Sequence, residues 1–279
     1  MAKLWRLSAV QMTSGPDPLV NLEKVDQLLA QLPKASQHLA VLPEGVAVFA
    51  GPDGLNLQLA EALGSGPLQN AYAALAKQHQ LHLLVGTLPT QTSDPSRFAA
   101  SSLLYSPNGE LLADYQKIHL FDALVNDSSK QYLESATTMP GQKLTLAQLA
   151  QLKLGMLICY DMRFPGLAQA LAAQGMNVMA VPSAFTTVTG EAHWHTLLRA
   201  RAIETQSFVV APAQVGTHPN GRQTYGHSLI IDPWGRILAE ADGSSEMVLS
   251  VETDLDLCQQ LAEKMPIRHH NRFQSEFKT

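Results

Sequence analysis

Cysteine is nearly missing from this chain. Only two thiols, Cys159 and Cys258, occur in 279 residues, so no disulfide framework holds the fold, and the reducing cytosol is the expected compartment. Long apolar runs are missing too. No stretch reaches the roughly 18 uninterrupted apolar residues of a membrane span. Met1 to Met12, with Lys3 and Arg6 spread through a short apolar run, lacks the basic region, apolar stretch and small-residue cleavage site of an export signal. Charged residues make up 15% of the chain and sum to a formal net charge of -5. Without clustered Lys and Arg the surface offers little to a polyanion, so nucleic acid is not an expected partner.

Metal and nucleotide signatures are also lacking. Ten histidines invite a metal-hydrolase reading, yet no His-Glu-x-x-His or paired Cys-x-x-Cys spacing occurs. His193 and His195 stand two apart on a predicted helix and therefore face different directions. His269 and His270 fall near a polar terminus, where solvation is expected. Gly64-Ser-Gly66 lacks the third glycine of a dinucleotide loop and does not directly follow a strand. No metal or organic cofactor is expected.

What is present is a chain 46% hydrophobic, large enough for one substantial core, which reads as a single domain over residues 1–279. Short Val, Leu and Ile runs alternate with segments of helical period, the pattern of an α/β fold. Strands are predicted near Leu7 to Gln11, His38 to Leu42, Leu81 to Thr87, Leu152 to Ile158, Val178 to Val181 and Phe208 to Pro212. Helices are predicted near Leu19 to Gln31, Pro67 to His79, Pro165 to Gln174 and Glu191 to Gln206. Loops are expected at Pro89 to Arg97, Asp122 to Gln142 and Ser183 to Glu191.

One internal echo suggests two related halves. Ser102-Leu-Leu-Tyr-Ser-Pro-Asn-Gly-Glu-Leu-Leu-Ala113 matches Ser228-Leu-Ile-Ile-Asp-Pro-Trp-Gly-Arg-Ile-Leu-Ala239 in pattern. Each reads as strand, tight turn and returning strand, with Pro presetting φ and Gly relieving the exit. Pro-x-Gly hairpins are common, so this echo does not by itself establish a repeat.

The segment richest in chemistry is Leu154-Gly-Met-Leu-Ile-Cys-Tyr-Asp-Met-Arg-Phe-Pro165. A buried strand runs into a polar cluster and a helix-starting proline, which places Cys159 at a strand-to-helix turn. Such a turn exposes a side chain and aims backbone N–H groups at whatever that side chain attacks. Most lone cysteines are small core residues, and Cys258, on an amphipathic helix, is read that way. A thiol near pKa 8.5 needs a base or a positive neighbour to act at neutral pH. Glu44, in Val41-Leu-Pro-Glu-Gly45, is the candidate base, although this segment alone fits a solvated loop acid equally well. Lys117, where the first hairpin's return strand ends, would favour the thiolate and hold an oxyanion; taken alone it reads as a surface lysine. Glu134 could pair with that lysine and fix its position. All three principal candidates follow apolar strands, whose carboxyl ends meet at one edge of a parallel sheet.

Pro43-Glu44, Lys117-Ile-His and Ile158-Cys-Tyr-Asp-Met-Arg-Phe-Pro165 together resemble the three signature regions of the nitrilase superfamily of carbon-nitrogen hydrolases. The likeness covers nearly the whole chain. It implies a four-layer α-β-β-α sandwich, a Glu-Lys-Cys triad carried here by Glu44, Lys117 and Cys159, a second glutamate at Glu134, and a homodimer. Pro182-Ser-Ala-Phe-Thr186, Ala192-His-Trp194, Leu197 to Gln206, Tyr225-Gly-His-Ser228 and Asp232-Pro-Trp-Gly235 resemble the branch acting on deaminated glutathione. The ω-amidases, which act on α-ketoglutaramate, are closely related. His195 departs from that branch, where an acidic residue is expected. The implied activity is hydrolysis of a terminal amide on a small, carboxylate-bearing molecule through a Cys159 thioester, with release of ammonia. Lys117 and the Tyr160 N–H would form the oxyanion hole, and Phe185 and Thr186 are expected to line the pocket. The rival from another class is a non-catalytic small-molecule binder that kept the fold.

Overall fold

The computed structural model describes residues 4–127, 131–273 and 275–276. Lys3, and residues 128–130 of the loop expected over Asp122 to Gln142, lie outside them. The chain runs β1 (Leu4–Gln11), α1 (Pro18–Leu29), β2 (His38–Val41), α2 (Leu55–Gln58), α3 (Pro67–His79), β3 (His82–Gln91), β4 (Phe98–Tyr105) and β5 (Leu111–Gln116). A short ribbon follows, β6 (Asp122–Leu124) with β7 (Gln131–Leu133). Next come β8 (Leu146–Leu149), β9 (Leu152–Met156), α4 (Pro165–Ala173), β10 (Val178–Ala180), α5 (Thr187–Thr205) and β11 (Phe208–Ala211). The chain closes with β12 (Val215–Thr217), β13 (Gln223–Tyr225), β14 (Leu229–Ile231), β15 (Ile237–Glu240), β16 (Met247–Asp254), α6 (Asp256–Lys264) and α7 (Ile267–His270).

Two six-stranded sheets carry the fold, in the orders β16-β1-β2-β3-β4-β5 and β8-β9-β10-β11-β14-β15. Each has three parallel strands, then an antiparallel hairpin on one side and an antiparallel edge strand on the other. The hairpin turns match bond for bond. Gly109 N–H donates to Ser106 O and Ser106 N–H to Glu110 O, while Gly235 N–H donates to Asp232 O and Asp232 N–H to Arg236 O, all at 2.9 Å. Both glycines sit at left-handed φ, +84° and +85°, where a side chain would be strained. The sequence echo is therefore a structural repeat.

The sheets face each other, with α1 and α3 outside the first and α4 and α5 outside the second, giving four layers. Alternate residues of the first sheet serve two cores, because it is covered on both faces. Leu7, Ala9, Leu39 and Val41 join the core between the sheets. Val10, Ala40 and Leu42 join the core under α1 and α3 with Val25, Leu28 and Tyr72. Helix starts follow their chemistry. The Asp17 carboxylate caps Leu19 N–H at 2.9 Å, and Pro18, Pro67 and Pro165 open α1, α3 and α4.

Three expectations shift. Helix α5 begins at Thr187 rather than Glu191, because Thr186 caps it through Thr189 N–H. The expected loop at Asp122 to Gln142 contains the β6–β7 ribbon and a 3₁₀ turn at Glu134–Ala136. Strand β3 runs on to Gln91, into the loop expected from Pro89, and carries a bulge between Val85 and Leu88. No helix among the described residues is long and apolar enough to cross a membrane.

Candidate active site

Glu44 follows β2 by three residues, and two constraints hold its turn. Gly45, at φ +68°, donates its N–H to Thr87 Oγ1 at 2.7 Å, and Thr87 is turned toward it by the β3 bulge. Gln214 Nε2 donates to the Glu44 carbonyl at 2.9 Å. The strands are very close here: a Cβ on Gly86 would lie 2.0 Å from the Pro43 carbonyl oxygen.

Lys117 ends the first hairpin and is almost fully buried, 2% exposed. Its Nζ donates to Glu44 Oε1 at 2.7 Å and to Glu134 Oε2 and Oε1 at 2.9 and 3.0 Å. Glu134 is fixed from behind by Phe121 N–H, 2.6 Å from Oε2, and the β6–β7 ribbon delivers it there. One ammonium thus lies between two carboxylates.

Cys159 stands just beyond β9 with a left-handed backbone, φ +47°, a conformation that costs a non-glycine residue energy and persists only when its surroundings enforce it. Its N–H donates to Pro182 O at 2.8 Å. Asp161, completely buried, braces the turn. It accepts from Ile158 N–H at 3.0 Å and Tyr115 OH at 2.8 Å. His119 approaches the same carboxylate through its N–H at 2.9 Å and ring Nδ1 at 2.7 Å. Tyr115 and His119 flank Lys117 two residues to either side, so this carboxylate ties the Lys117 segment to the Cys159 turn. Asp161 lies inside the motif read from the sequence, but its role in tying the two segments had no signal of its own, because Tyr115 and His119 are more than forty residues away.

The thiol of Cys159 donates to the Glu44 carboxylate, and the Ala184 N–H points at its sulfur. Burial and the Glu44 charge push the thiol well above its ordinary pKa, with Lys117 opposing. Burial alone would raise the Glu44 carboxyl, but the Lys117 charge, hydrogen bonds from Cys159 and Lys117, and the Arg222 charge bring it below the ordinary range. Burial works against the Lys117 ammonium, yet Glu134 and Glu44 hold it protonated well above its usual range. The resting arrangement is a neutral thiol beside an ionised carboxylate and a fixed ammonium.

These groups open onto a cavity of about 500 Å³, also lined by Tyr160, Phe185, Thr186, Arg163 and Arg222. The structure therefore brings every site residue read from the sequence to one cavity. Arg163 and Arg222 were not singled out beforehand. Arg163 lies within the cysteine motif, whereas Arg222 comes from a Gly/Asn-rich turn with no motif to mark it.

His193 and His195 diverge as expected, His193 toward Arg163 and His195 toward Glu240. His195, His227 and Glu240 nevertheless bring ligand atoms within 4.8 Å of one another outside the cavity lining, a grouping able to hold a metal ion. Its members are spread over 46 residues of chain, so spacing could not reveal it.

The family model for carbon-nitrogen hydrolases matches residues 6–263. The chain belongs to the carbon-nitrogen hydrolase family. Among similar proteins, a deaminated glutathione amidase of Yersinia enterocolitica is 41% identical over 271 residues, covering 96% of this chain and 93% of its own. The crystal structure of the C. elegans NitFhit protein superposes with a TM-score of 0.88 at 33% identity, covering 98% of this chain and 66% of that longer one. Saccharomyces cerevisiae Nit3, of branch 10 of the nitrilase superfamily, superposes with a TM-score of 0.85 at 30% identity, covering 97% of each chain. This carbon-nitrogen hydrolase is an amidase of the nitrilase superfamily.

Proposed function

We propose that the whole chain acts as one thiol amidase domain, with Cys159 as nucleophile, Glu44 as general base and acid, and Lys117 with the Tyr160 N–H as oxyanion hole. The substrate we assign is a small amide bearing carboxylates, deaminated glutathione, the molecule named in its 41%-identical relative. The observation that carries this reading is the Cys159 thiol hydrogen-bonded to Glu44, itself 2.7 Å from the Lys117 ammonium. Glu44 takes the thiol proton as Sγ attacks the amide carbon, and the oxyanion develops against Lys117 and the backbone. The C–N bond then breaks as Glu44 returns the proton to nitrogen. Water, activated by the same carboxylate, hydrolyses the thioester to acid and free thiol. Glu134 keeps the ammonium in place, and its charge offsets part of the Lys117 pull on Glu44, which leaves Glu44 able to accept a proton.

The chemistry sets the leaving group. Ammonia departs from a primary ω-amide such as α-ketoglutaramate, whereas from deaminated glutathione the departing nitrogen belongs to cysteinylglycine, so for that substrate the expected release of ammonia is corrected to release of the dipeptide. The acid product, α-ketoglutarate, is common to both. The test is α-ketoglutarate formation from each substrate by purified enzyme, with mass spectrometry of the intact protein during turnover. We expect a higher kcat/KM on deaminated glutathione and an acyl adduct on Cys159. Preference for α-ketoglutaramate moves the assignment to ω-amidase, and absence of product from both defeats the reading.

We also propose a cytosolic homodimer. The turn of the second hairpin, bound to α5 through Arg199 Nε and Gly235 O at 2.9 Å, leaves Trp234 56% and Ile203 42% exposed, apolar surface suited to a second copy. Light scattering coupled to gel filtration checks this, and a monomer at micromolar concentration defeats it.

A further inference from the structure

We propose that Arg222 binds the carboxylate of the departing amine and so selects amides with an anionic leaving group over primary amides. This rests on the amidase reading above and names what that site recognises.

Arg222 lies on the cavity wall with its Nε buried and without a hydrogen-bond partner. Among the described residues its guanidinium makes one hydrogen bond, from Nη2 to the Ala184 carbonyl at 3.2 Å, and pairs with no carboxylate. The residue as a whole is only partly buried, but an N–H shut off from water without a partner is costly, and that cost is offset when an anion arrives. The group is already aimed. Its plane is held by Phe49 and Tyr132, whose ring centroids lie 4.7 and 5.1 Å from Cζ. Its turn is pinned at both ends: His218 N–H donates to Arg222 O at 2.8 Å, and the His218 ring lies 2.9 Å from Ser14 O and 2.8 Å from Thr224 Oγ1. Little ordering is left for binding to impose.

The side of the cavity follows from the reaction. Glu44 must reach the departing nitrogen to protonate it, so the leaving group lies on the Glu44 side of the attacked carbon. Arg222 is on that side: its Cζ lies 4.7 Å from the centroid of the Phe49 ring, and that ring packs against Gly45, the residue after Glu44, in the same cavity wall. The other cavity arginine is placed differently. Arg163 is engaged with His193 Nδ1 at 3.1 Å and stacks over Phe185 at 4.9 Å, beside Cys159. Cysteinylglycine carries a carboxylate at its far end; ammonia carries nothing. A fixed cation there separates the two substrate types by charge-assisted bonding alone.

The experiment uses the intact enzyme and three amides that all yield α-ketoglutarate: deaminated glutathione, its glycine methyl ester, and α-ketoglutaramate. The unsubstituted enzyme is expected to prefer the acid over the ester by about 10- to 100-fold in kcat/KM, the range of one charge-assisted bond. In Arg222→Gln that ratio falls toward one, through KM on the acid rather than kcat, and the preference over α-ketoglutaramate falls with it. Arg222→Lys restores part of the ratio. An acid-to-ester ratio near one in the unsubstituted enzyme overturns the inference whether or not the variants fold. So does a ratio that survives Arg222→Gln, or a variant that loses all three substrates equally. Absence of α-ketoglutarate from every substrate with unsubstituted enzyme defeats the amidase reading itself, a result distinct from these.

Discussion

The two thiols of this chain are both buried and both raised in pKa, yet only one is placed to react. Cys258 sits on α6, pushed up to about 12 chiefly by burial; its Sγ lies 3.5 Å from the Asn177 carbonyl. Cys159 is raised by burial and by Glu44 as well. Ionisation at rest therefore does not separate them. The partners do: a backbone carbonyl accepts a hydrogen bond but not a proton, whereas Glu44 accepts both, and beside Cys159 an ammonium, a left-handed turn and an open cavity complete the site. In the proposed mechanism, reactivity depends on a base that takes the proton during attack, not on a thiolate prepared beforehand.

The largest expected effect follows directly. Cys159→Ala should reduce amide turnover to the background rate while leaving the melting temperature within a few degrees, because a small residue replaces a thiol at the cavity edge. Iodoacetamide should label Cys159 and spare Cys258, read by peptide mass spectrometry; equal labelling breaks the comparison. Glu44→Gln keeps the shape and removes the proposed base, so turnover should fall about 100- to 10,000-fold, and labelling of Cys159 should slow with it.

The pH profile sharpens the same point. Glu44 is held below the ordinary carboxylate value of about 4.3 by its neighbours, so the acid limb of kcat/KM should lie below that value. The raised thiol produces no descending limb at neutral pH. The linked stability has the same sign: a depressed carboxylate stabilises the fold above its unfolded pKa, and this contribution is lost as pH falls through the folded one. An acid limb near 6 would mean that Glu44 is not the base, or that Lys117 does not hold it down.

Much of this was legible in the sequence because the central strands are covered on both faces and read as continuous apolar runs, and because Glu44 and Cys159 directly follow such runs. Lys117 and Glu134 follow the largely unburied β5 and β7 and were legible only through the set of motifs. The hairpin echo, Ser102 to Ala113 against Ser228 to Ala239, survived as two turns with the same hydrogen bonds. Less legible was whatever depends on pairing over long separations. β16 joins the fold only by lying antiparallel to β1, Leu4 opposite Asp254, and its half-exposed residues show no clean alternation. The β6–β7 ribbon read as loop because Asp122, Leu124, Gln131 and Leu133 are exposed and offer no apolar face. Asp161 and Arg222 escaped for the same reason: the partners that give each its role come from distant segments.

A smaller effect tests the surroundings of Cys159 rather than its chemistry. Gly86→Ala would put a Cβ 2.0 Å from the Pro43 carbonyl oxygen, and backbone cannot swing aside as a flexible side chain can. Relief requires the Glu44 turn to shift, so kcat should fall about 10-fold, with a stability loss of about 1–3 kcal/mol. An unchanged kcat would show that the fit between β2 and β3 does not set the position of the carboxylate.

The smallest effect completes the comparison between the thiols. Cys258→Ala deletes one buried heavy atom from beneath α6 and leaves a small void, which should cost about 1 kcal/mol, or a melting temperature lower by roughly 2–4 °C in a chain of this size. Turnover should be unchanged, because Cys258 is outside the cavity lining and its neighbour is a carbonyl. Differential scanning calorimetry and a kcat measurement on the same preparation separate the two quantities. A fall in kcat without a fall in stability would mean that the second thiol communicates with the site after all, and that a proton-accepting neighbour is not what distinguishes Cys159.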